Sequence, residues 1–394
     1  MKIIILGGGI VGLAIARELS LRGYIDITVI EKEAECASHQ SSRNSGVMHA
    51  GLYYKPNSKK ALLSRKGIKL LKEYCTKKNI PWDECGKLVV ATSKSESERL
   101  EKLYENGKQN GLVGISRINS KQVQKIEPYV SSLGAIHVPE ESIVDYKAVA
   151  RSYENDIQNA GAQILLKSEF ESCIKRENKN FVIMKDGREL EYDLLINSSG
   201  LYSDKNSRKL GLSDNNSQIL PFRGEYYLLK KEYRYLVRNL IYPVPDPSLP
   251  FLGVHLTRMI NGEIEAGPNA VLALAREGYD WKTINLKEFS ESIFYPGLFK
   301  FVTKYPLITL GELSRSFIKN IFVESLRKFI PELSPKMVYR SQAGVRAQLM
   351  YNNGDLENDF VIKKSSNCLS ILNAPSPAAT SSLAIAEYVV DLIK

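Results

Sequence analysis

The chain opens on KIIILGGGIVGLAIARELSLRGYIDITVIEKE, and this stretch restricts its fold more than any other. Lys2–Leu6 is an apolar run stopped at once by three glycines, the pattern of a strand buried on both faces. Gly7, Gly9 and Gly12 take the spacing G-x-G-x-x-G. Leu13, Ala16 and Leu19 then share one face of a helix that Gly23 ends, and a second strand over Ile27–Ile30 runs into Glu31. Gly7 permits a tight turn, Gly9 lets the amides at Ile10 and Val11 approach a pyrophosphate, and Gly12 lets helix and strand pack closely. Glu31, followed by Lys32, stands where an acid accepts the ribose hydroxyls of an adenosine, and an acid there disfavours a 2′-phosphate. The stretch predicts a Rossmann-like unit for NAD or FAD. With nothing encoded ahead of the strand, no secretory or mitochondrial presequence is expected.

The remaining composition narrows the chemistry. The chain's 394 residues are enough for two to three domains. Its 43% apolar and 25% charged residues are those of a globular protein, and no apolar run reaches membrane-spanning length. Five scattered cysteines without a C-x-x-C pair argue against a disulfide scaffold or a cysteine zinc site, and fit a reducing compartment. Four histidines without metal-ligand spacing leave no metal site expected. A net charge of +10 reads either as lysine-rich bias or as a taste for anionic partners. No basic run or aromatic–basic motif points to nucleic acid.

Three later segments separate FAD from NAD. The stretch HQSSRNSGVMHAGLYYKPNS holds Ser41, Ser42, Arg43, Asn44, Ser45 and Gly46, a small polar loop suited to run along a pyrophosphate towards a flavin. A strand in YDLLINSSGLYSDKNSRKLGL ends at Ser199 and Gly200. The C-terminal LSILNAPSPAATSSLAIAEYVVDLI reads as strand, small-residue turn with Ser376, Ala378, Ala379 and Thr380, and helix. These segments, with NSGVMHAGLYY, CGKLVVAT, PFRGEYY, YPVPDPSLPFLGVHLTR, GPNAVLA and AGVRAQ, resemble the D-amino-acid-oxidase-type FAD-dependent oxidoreductases, most closely the members that oxidise L-2-hydroxyglutarate. The resemblance covers essentially the whole length in order. It implies an α/β fold in which a Rossmann-like FAD-binding domain of the glutathione-reductase type is interleaved with a mixed, largely antiparallel substrate sheet. It also implies oxidation of L-2-hydroxyglutarate to 2-oxoglutarate by hydride transfer to the flavin.

Oxidising an α-hydroxy acid needs a base for the hydroxyl proton and a cation for the carboxylate, and a dicarboxylate needs two such clamps. Arg346, after Gly344 in AGVRAQ, matches the substrate-binding arginine of glycine oxidase and glycerol-3-phosphate dehydrogenase. It is read as a clamp beside the cofactor, with Arg223, Tyr226, Tyr242 and Arg258 as further pocket candidates. Along VHLTR, His255 and Arg258 point to opposite faces, so only one of them belongs to the site. His49 and His255 are the two candidate bases. His49 matches a near-flavin histidine of glycerol-3-phosphate dehydrogenase, and some distant relatives attach FAD covalently through a histidine in this region.

Alternation of the segments predicts an FAD domain over residues 1–85, 144–220 and 340–394, with the substrate domain over 86–143 and 221–339. Within the latter, 286–330 reads as amphipathic helices, either packed on the protein itself or dipping into an anionic membrane. The second reading would carry electrons to a membrane quinone rather than to oxygen, from the cytoplasmic face. The competing functions are an oxidase of another small hydroxy or amino acid on the same fold, a flavin-containing RNA-associated protein, and a non-catalytic FAD scaffold.

Overall fold

The computed structural model describes residues 1–213, 215–248 and 251–393, so Leu249 and Pro250 of the proline-rich string lie outside the described residues. The opening strand Lys2–Leu6 sits near the middle of a six-stranded sheet. Asp26–Ile30 and Leu194–Asn197 flank it in parallel, with Ile3 and Ile5 level with Ile27 and Val29 on one side and with Leu194 and Ile196 on the other. Gln163–Leu165 extends one side, and Cys368–Asn373 with the antiparallel edge strand Val361–Lys364 completes the other. A strand paired in parallel on both sides must be covered on both faces, which is why it reads as a continuous apolar run. The helix Ile10–Leu21 covers one face and packs on Tyr146–Asn159 and Ser382–Asp391. Leu13, Ile15 and Leu19 of that helix are completely buried, each contributing about 1.5–3 kcal/mol of apolar burial.

A second sheet holds eight strands, from Ser116–Asn119 at one edge to Val338–Arg340 at the other. It is antiparallel throughout except where Leu240–Pro243 runs parallel to Lys87–Ala91. Its strands and those of the first sheet alternate along the chain, so this is an α/β fold with a Rossmann-like sheet interleaved with a mixed one. A third, three-stranded sheet pairs Ser217–Gly224 with Gly344–Tyr351 and with Val271–Leu272. The buried Arg276 guanidinium, bonded to both oxygens of Asp204 at 2.6 and 2.9 Å, ties the segment after Leu194–Asn197 to the loop beyond Val271–Leu272.

Four consecutive helices, Leu286–Ile293, Pro296–Lys304, Pro306–Phe317 and Lys319–Arg327, occupy the region expected to be helical. Two of them begin on a proline, whose missing amide costs nothing at that position. Their inner side chains are spoken for. Leu298 and Phe301 pack with Leu220 and Phe222, while Phe322, Val323 and Leu326 join the core under the second sheet. Their outer side chains are not: Phe294 is 83% exposed, Phe299 70%, Leu307 82% and Phe317 62%. Among the described residues no helix is long and apolar enough to cross a membrane.

Candidate active site

A cavity of about 1650 Å³ is lined by residues of each of these three sheets, among others. One end is a cradle built from the opening turn. Gly7 holds a φ of +100° that only glycine adopts freely, and a Cβ there would meet the Ser198 carbonyl oxygen at 2.7 Å. A Cβ on Gly12 would stand 2.1 Å from the Gly7 oxygen, so Gly12 serves the packing and does not itself line the cavity. Gly9 caps the helix Ile10–Leu21 without a side chain, and Gly9, Ile10 and Val11 face the cavity. The positive end of that helix therefore points into open space, the arrangement that holds a pyrophosphate. Ser41 accepts the Ile10 amide at 2.9 Å and fixes the polar loop against the turn.

Glu31 lines the same end, its two oxygens accepting the amides of Gly8 and Glu33 at 2.8 and 2.9 Å. Lys32, Arg43, Asn44, Ser45, Ser199, Gly200, Gly344, Ser376, Ala378, Ala379 and Thr380 also line the cavity. Ser42 and Gly46 do not; they border a separate 210 Å³ pocket behind the loop, because Gly46 turns against the Val144 backbone with a φ of +73°. His39, which carries no motif, stacks on Tyr279 in this region, and Arg43 lies 4.1 Å from the same ring. Glu33, His39 and Glu277 converge there, but the Lys32 ammonium bonds both carboxylates at 2.6 Å and makes the cluster an ion network. Length, glycine turn, helix end and ribose-side acid together fit a dinucleotide.

At the other end His49, Tyr53, Tyr226, Tyr242, His255 and Arg346 line the cavity. The two histidines differ in environment. His255 stacks on Tyr242 with ring centroids 3.9 Å apart, and its Nδ1 donates to the Gly253 carbonyl at 3.0 Å. Burial, reinforced by the positive charge of Arg346, pushes its pKa down to about 3, so it stays neutral. His49 is backed by an acid instead: its Nδ1 stands 3.3 Å from Glu141 Oε2, within ion-pair range, and neither atom makes a hydrogen bond among the described residues. A proton on Nδ1 would face the Glu141 carboxylate and leave Nε2 as an acceptor.

Glu141 has no exposed surface, and neither has Lys87, whose ammonium bonds Glu141 Oε1 at 2.5 Å. Burial opposes ionisation of Glu141, but Lys87 and His49 outweigh it and hold its pKa down to about 2. Lys87 also lies 4.7 and 5.1 Å from the Tyr53 and Tyr242 rings. Neither Lys87 nor Glu141 was singled out in the sequence. The available signal was a lone charge at the head of the apolar strand Lys87–Ala91. For Glu141, in PEESIV, there was none.

Two expected pocket arginines lie elsewhere. In the ladder between Ser217–Gly224 and Gly344–Tyr351, Arg346 is level with Phe222 and Arg223 with Val345, so the two arginines leave the sheet on opposite faces. Arg223 is fully buried away from the cavity, bonded to Glu225 at 3.0 Å and to the Asp280 carbonyl at 2.6 Å, and stacked on Trp281. Arg258 pairs with Asp83 at 2.5 Å, on the face of its strand opposite His255. Arg346 has no such partner: its guanidinium lies 5.6 Å from the Phe251 ring, with no carboxylate in ion-pair range among the described residues.

Comparison with known proteins agrees with this geometry. The family described as FAD dependent oxidoreductase matches residues 2–392. The L-2-hydroxyglutarate dehydrogenase of Indibacter alkaliphilus is 47% identical over 98% of this chain and 96% of its own length. The mitochondrial L-2-hydroxyglutarate dehydrogenase of Bos taurus is 43% identical over 100% of this chain and 88% of its own. Among solved structures, the L-alpha-glycerophosphate oxidase of Mycoplasma pneumoniae with FAD bound superposes with a TM-score of 0.80 at 22% identity, over 100% of this chain and 94% of that one.

The buried pair makes a stability prediction. Lys87→Met leaves Glu141 buried without its counter-ion and is expected to cost about 3–5 kcal/mol at pH 7. Because the Glu141 pKa is depressed, its contribution is complete above pH about 4.5 and is lost as pH falls towards about 2. Thermal melts of wild type and variant should therefore converge between those values; a gap that stays constant would refute the pairing.

Proposed function

The chain belongs to the FAD-dependent oxidoreductase family, and from that premise we propose that it oxidises L-2-hydroxyglutarate to 2-oxoglutarate at the end of the cavity shared by His49, His255 and Arg346. The observation that carries the reading is Arg346, a cavity arginine left without a carboxylate partner among the described residues beside two histidines of opposite character. The relatives' names supply the substrate. FAD would be held along the Gly7–Val11 turn, Glu31 and the loop residues Ser41, Arg43, Asn44 and Ser45, and would supply the two-electron oxidant for the α-carbon.

The side chains account for the rest. Arg346 pairs with the α-carboxylate, which fixes the α-carbon and orients the hydroxyl. His49 Nε2 takes the hydroxyl proton as the carbonyl forms, and Glu141 behind Nδ1 stabilises the resulting imidazolium. Lys87 keeps Glu141 ionised for that purpose. His255, already donating through Nδ1 and held neutral, orients the substrate rather than accepting its proton. Tyr53, whose hydroxyl is buried without a partner among the described residues, adds a donor to the same pocket.

The electron acceptor is read as a membrane quinone. Phe294, Phe299, Leu307 and Phe317 crown the first three of the four helices beyond residue 286, and seven lysines and arginines against four acids in 286–330 suit an anionic lipid face.

Three outcomes test these readings. The purified yellow protein, held without oxygen, should be bleached by L-2-hydroxyglutarate and not by its D form, lactate or glycine; indifference to all four would discard the substrate. His49→Ala should slow that bleaching by about 10²–10⁴-fold and His255→Ala by much less, and the reverse order would move the base to His255. The triple variant Phe294→Glu, Phe299→Glu, Leu307→Glu should stop floating with phosphatidylglycerol-containing vesicles while bleaching normally; unchanged flotation would return these helices to an ordinary surface.

A further inference from the structure

A five-carbon dicarboxylate needs a second cation, and the structure withdraws both arginines that the sequence offered for it. The remaining cations of the cavity wall can be sorted by their partners. Lys32, Lys185, Lys205, Arg208 and Lys209 are each paired, with Glu277, Glu169, Glu291, Asp204 and Glu171. Arg43 lies on Tyr279 at the dinucleotide end, and Lys55 and Lys287, though without an ion pair among the described residues, are exposed to solvent. Lys60 is different. It is partly buried, it lines the cavity, and its ammonium lies 5.1 Å from the Tyr54 ring. No carboxylate reaches ion-pair distance of that ammonium among the described residues.

We propose that Lys60 is the clamp for the distal carboxylate of the substrate, opposite in role to Arg346. This rests on the substrate reading above. Three observations support it. First, Lys60 occupies the opening turn of the helix Lys59–Lys77, where the Asp359 carboxylate is taken up by the Lys59 and Lys60 amides, so the Lys60 ammonium shares the positive helix end without an ion pair of its own. Secondly, the two nearest carboxylates are committed elsewhere. Asp359 accepts the amides of Lys59, Lys60 and Phe360, and Glu357 accepts the Asp359 amide and the Tyr351 hydroxyl. Burial accordingly pulls the Lys60 pKa down to about 8 despite those two acids, as expected of an ammonium that lacks a close counter-ion. Thirdly, Tyr54, on which Lys60 rests, lines the same cavity, and the charge of Glu141 reaches its phenol. Lys60 therefore lies towards the His49 end and away from the ribose-side acid. A substrate with one carboxylate satisfies Arg346 alone; one with two satisfies both cations.

The test is a ligand-deletion cycle on the FAD-loaded enzyme. Lys60→Met, Lys60→Arg and Lys55→Met are compared with wild type for turnover of L-2-hydroxyglutarate and of L-2-hydroxyvalerate, which keeps the carbon chain and lacks the distal carboxylate. Binding of glutarate and valerate is read separately from the perturbed visible spectrum. Lys60→Met should raise the KM for L-2-hydroxyglutarate and the Kd for glutarate by about 10²-fold and leave the valerate series nearly unmoved, with Lys60→Arg recovering most of the loss. Equal losses in both series, or none, would overturn the assignment, as would a dicarboxylate-specific loss in Lys55→Met alone. Wild type that binds glutarate yet fails to oxidise L-2-hydroxyglutarate would overturn the substrate reading and leave the Lys60 result to stand or fall by the binding arm.

Discussion

Where the strand Lys2–Leu6 turns into the helix Ile10–Leu21, the backbone of Gly12 comes so near the Gly7 carbonyl and the Ser198 side chain that nothing larger than hydrogen fits between them. That close approach sets everything downstream. It brings the helix end against the Leu194–Asn197 strand, points the helix's free amides into the cavity, and places Ser199 and Gly200 beside them. With Glu31 at the end of the neighbouring strand, three parallel strands deliver their C-terminal ends to one place, which is where α/β sheets bind ligands. The second sheet then closes the other side of the space.

The electrostatics of that second wall decide which groups are free to act. Arginine and lysine are abundant in this chain, and most are cancelled locally: Arg223 by Glu225, Arg258 by Asp83, Arg276 by Asp204. Among the described cavity residues, Arg346 and Lys60 are partly buried cations at the His49 end with no carboxylate in ion-pair range. Buried charges cost much more than exposed ones, so each must be matched within the fold or completed by a ligand. The Lys87–Glu141 pair is matched within the fold. Its placement behind His49 gives one of two chemically identical imidazoles a carboxylate counter-ion, while His255, stacked on Tyr242 near the positive charge of Arg346, remains neutral.

The helices after residue 286 follow a related logic with apolar groups. Leu298, Phe301, Phe322 and Leu326 fasten them to the body of the protein, and so leave the opposite faces, with Phe294 and Leu307, turned outward. Phe294, Phe299, Leu307 and Phe317 thus leave an exposed apolar face on adjoining helices.

Much of the cofactor end was legible in the sequence because its determinants are local. Turn, helix start and ribose acid lie within 25 residues of one another, and backbone geometry alone fixes their relation. The exceptions, Ser42 and Gly46, fall on the far side of a loop whose path Val144 controls from 98 residues away. The substrate end was legible only as a set of residue types. Arg223 and Arg346 stand in equally suggestive motifs, and only the register of an antiparallel ladder sends one into the cavity and the other into the core. Likewise Glu141 reaches His49, and Lys87 reaches Glu141, through pairings distant in the chain that carry no periodic or motif signal. The sequence by itself thus determined the fold class and the dinucleotide cradle, whose physics is that of a few consecutive residues. The tertiary structure decided which histidine has an acid behind it and which cations remain unmatched, because burial and charge pairing are properties of groups that meet only when the chain has folded.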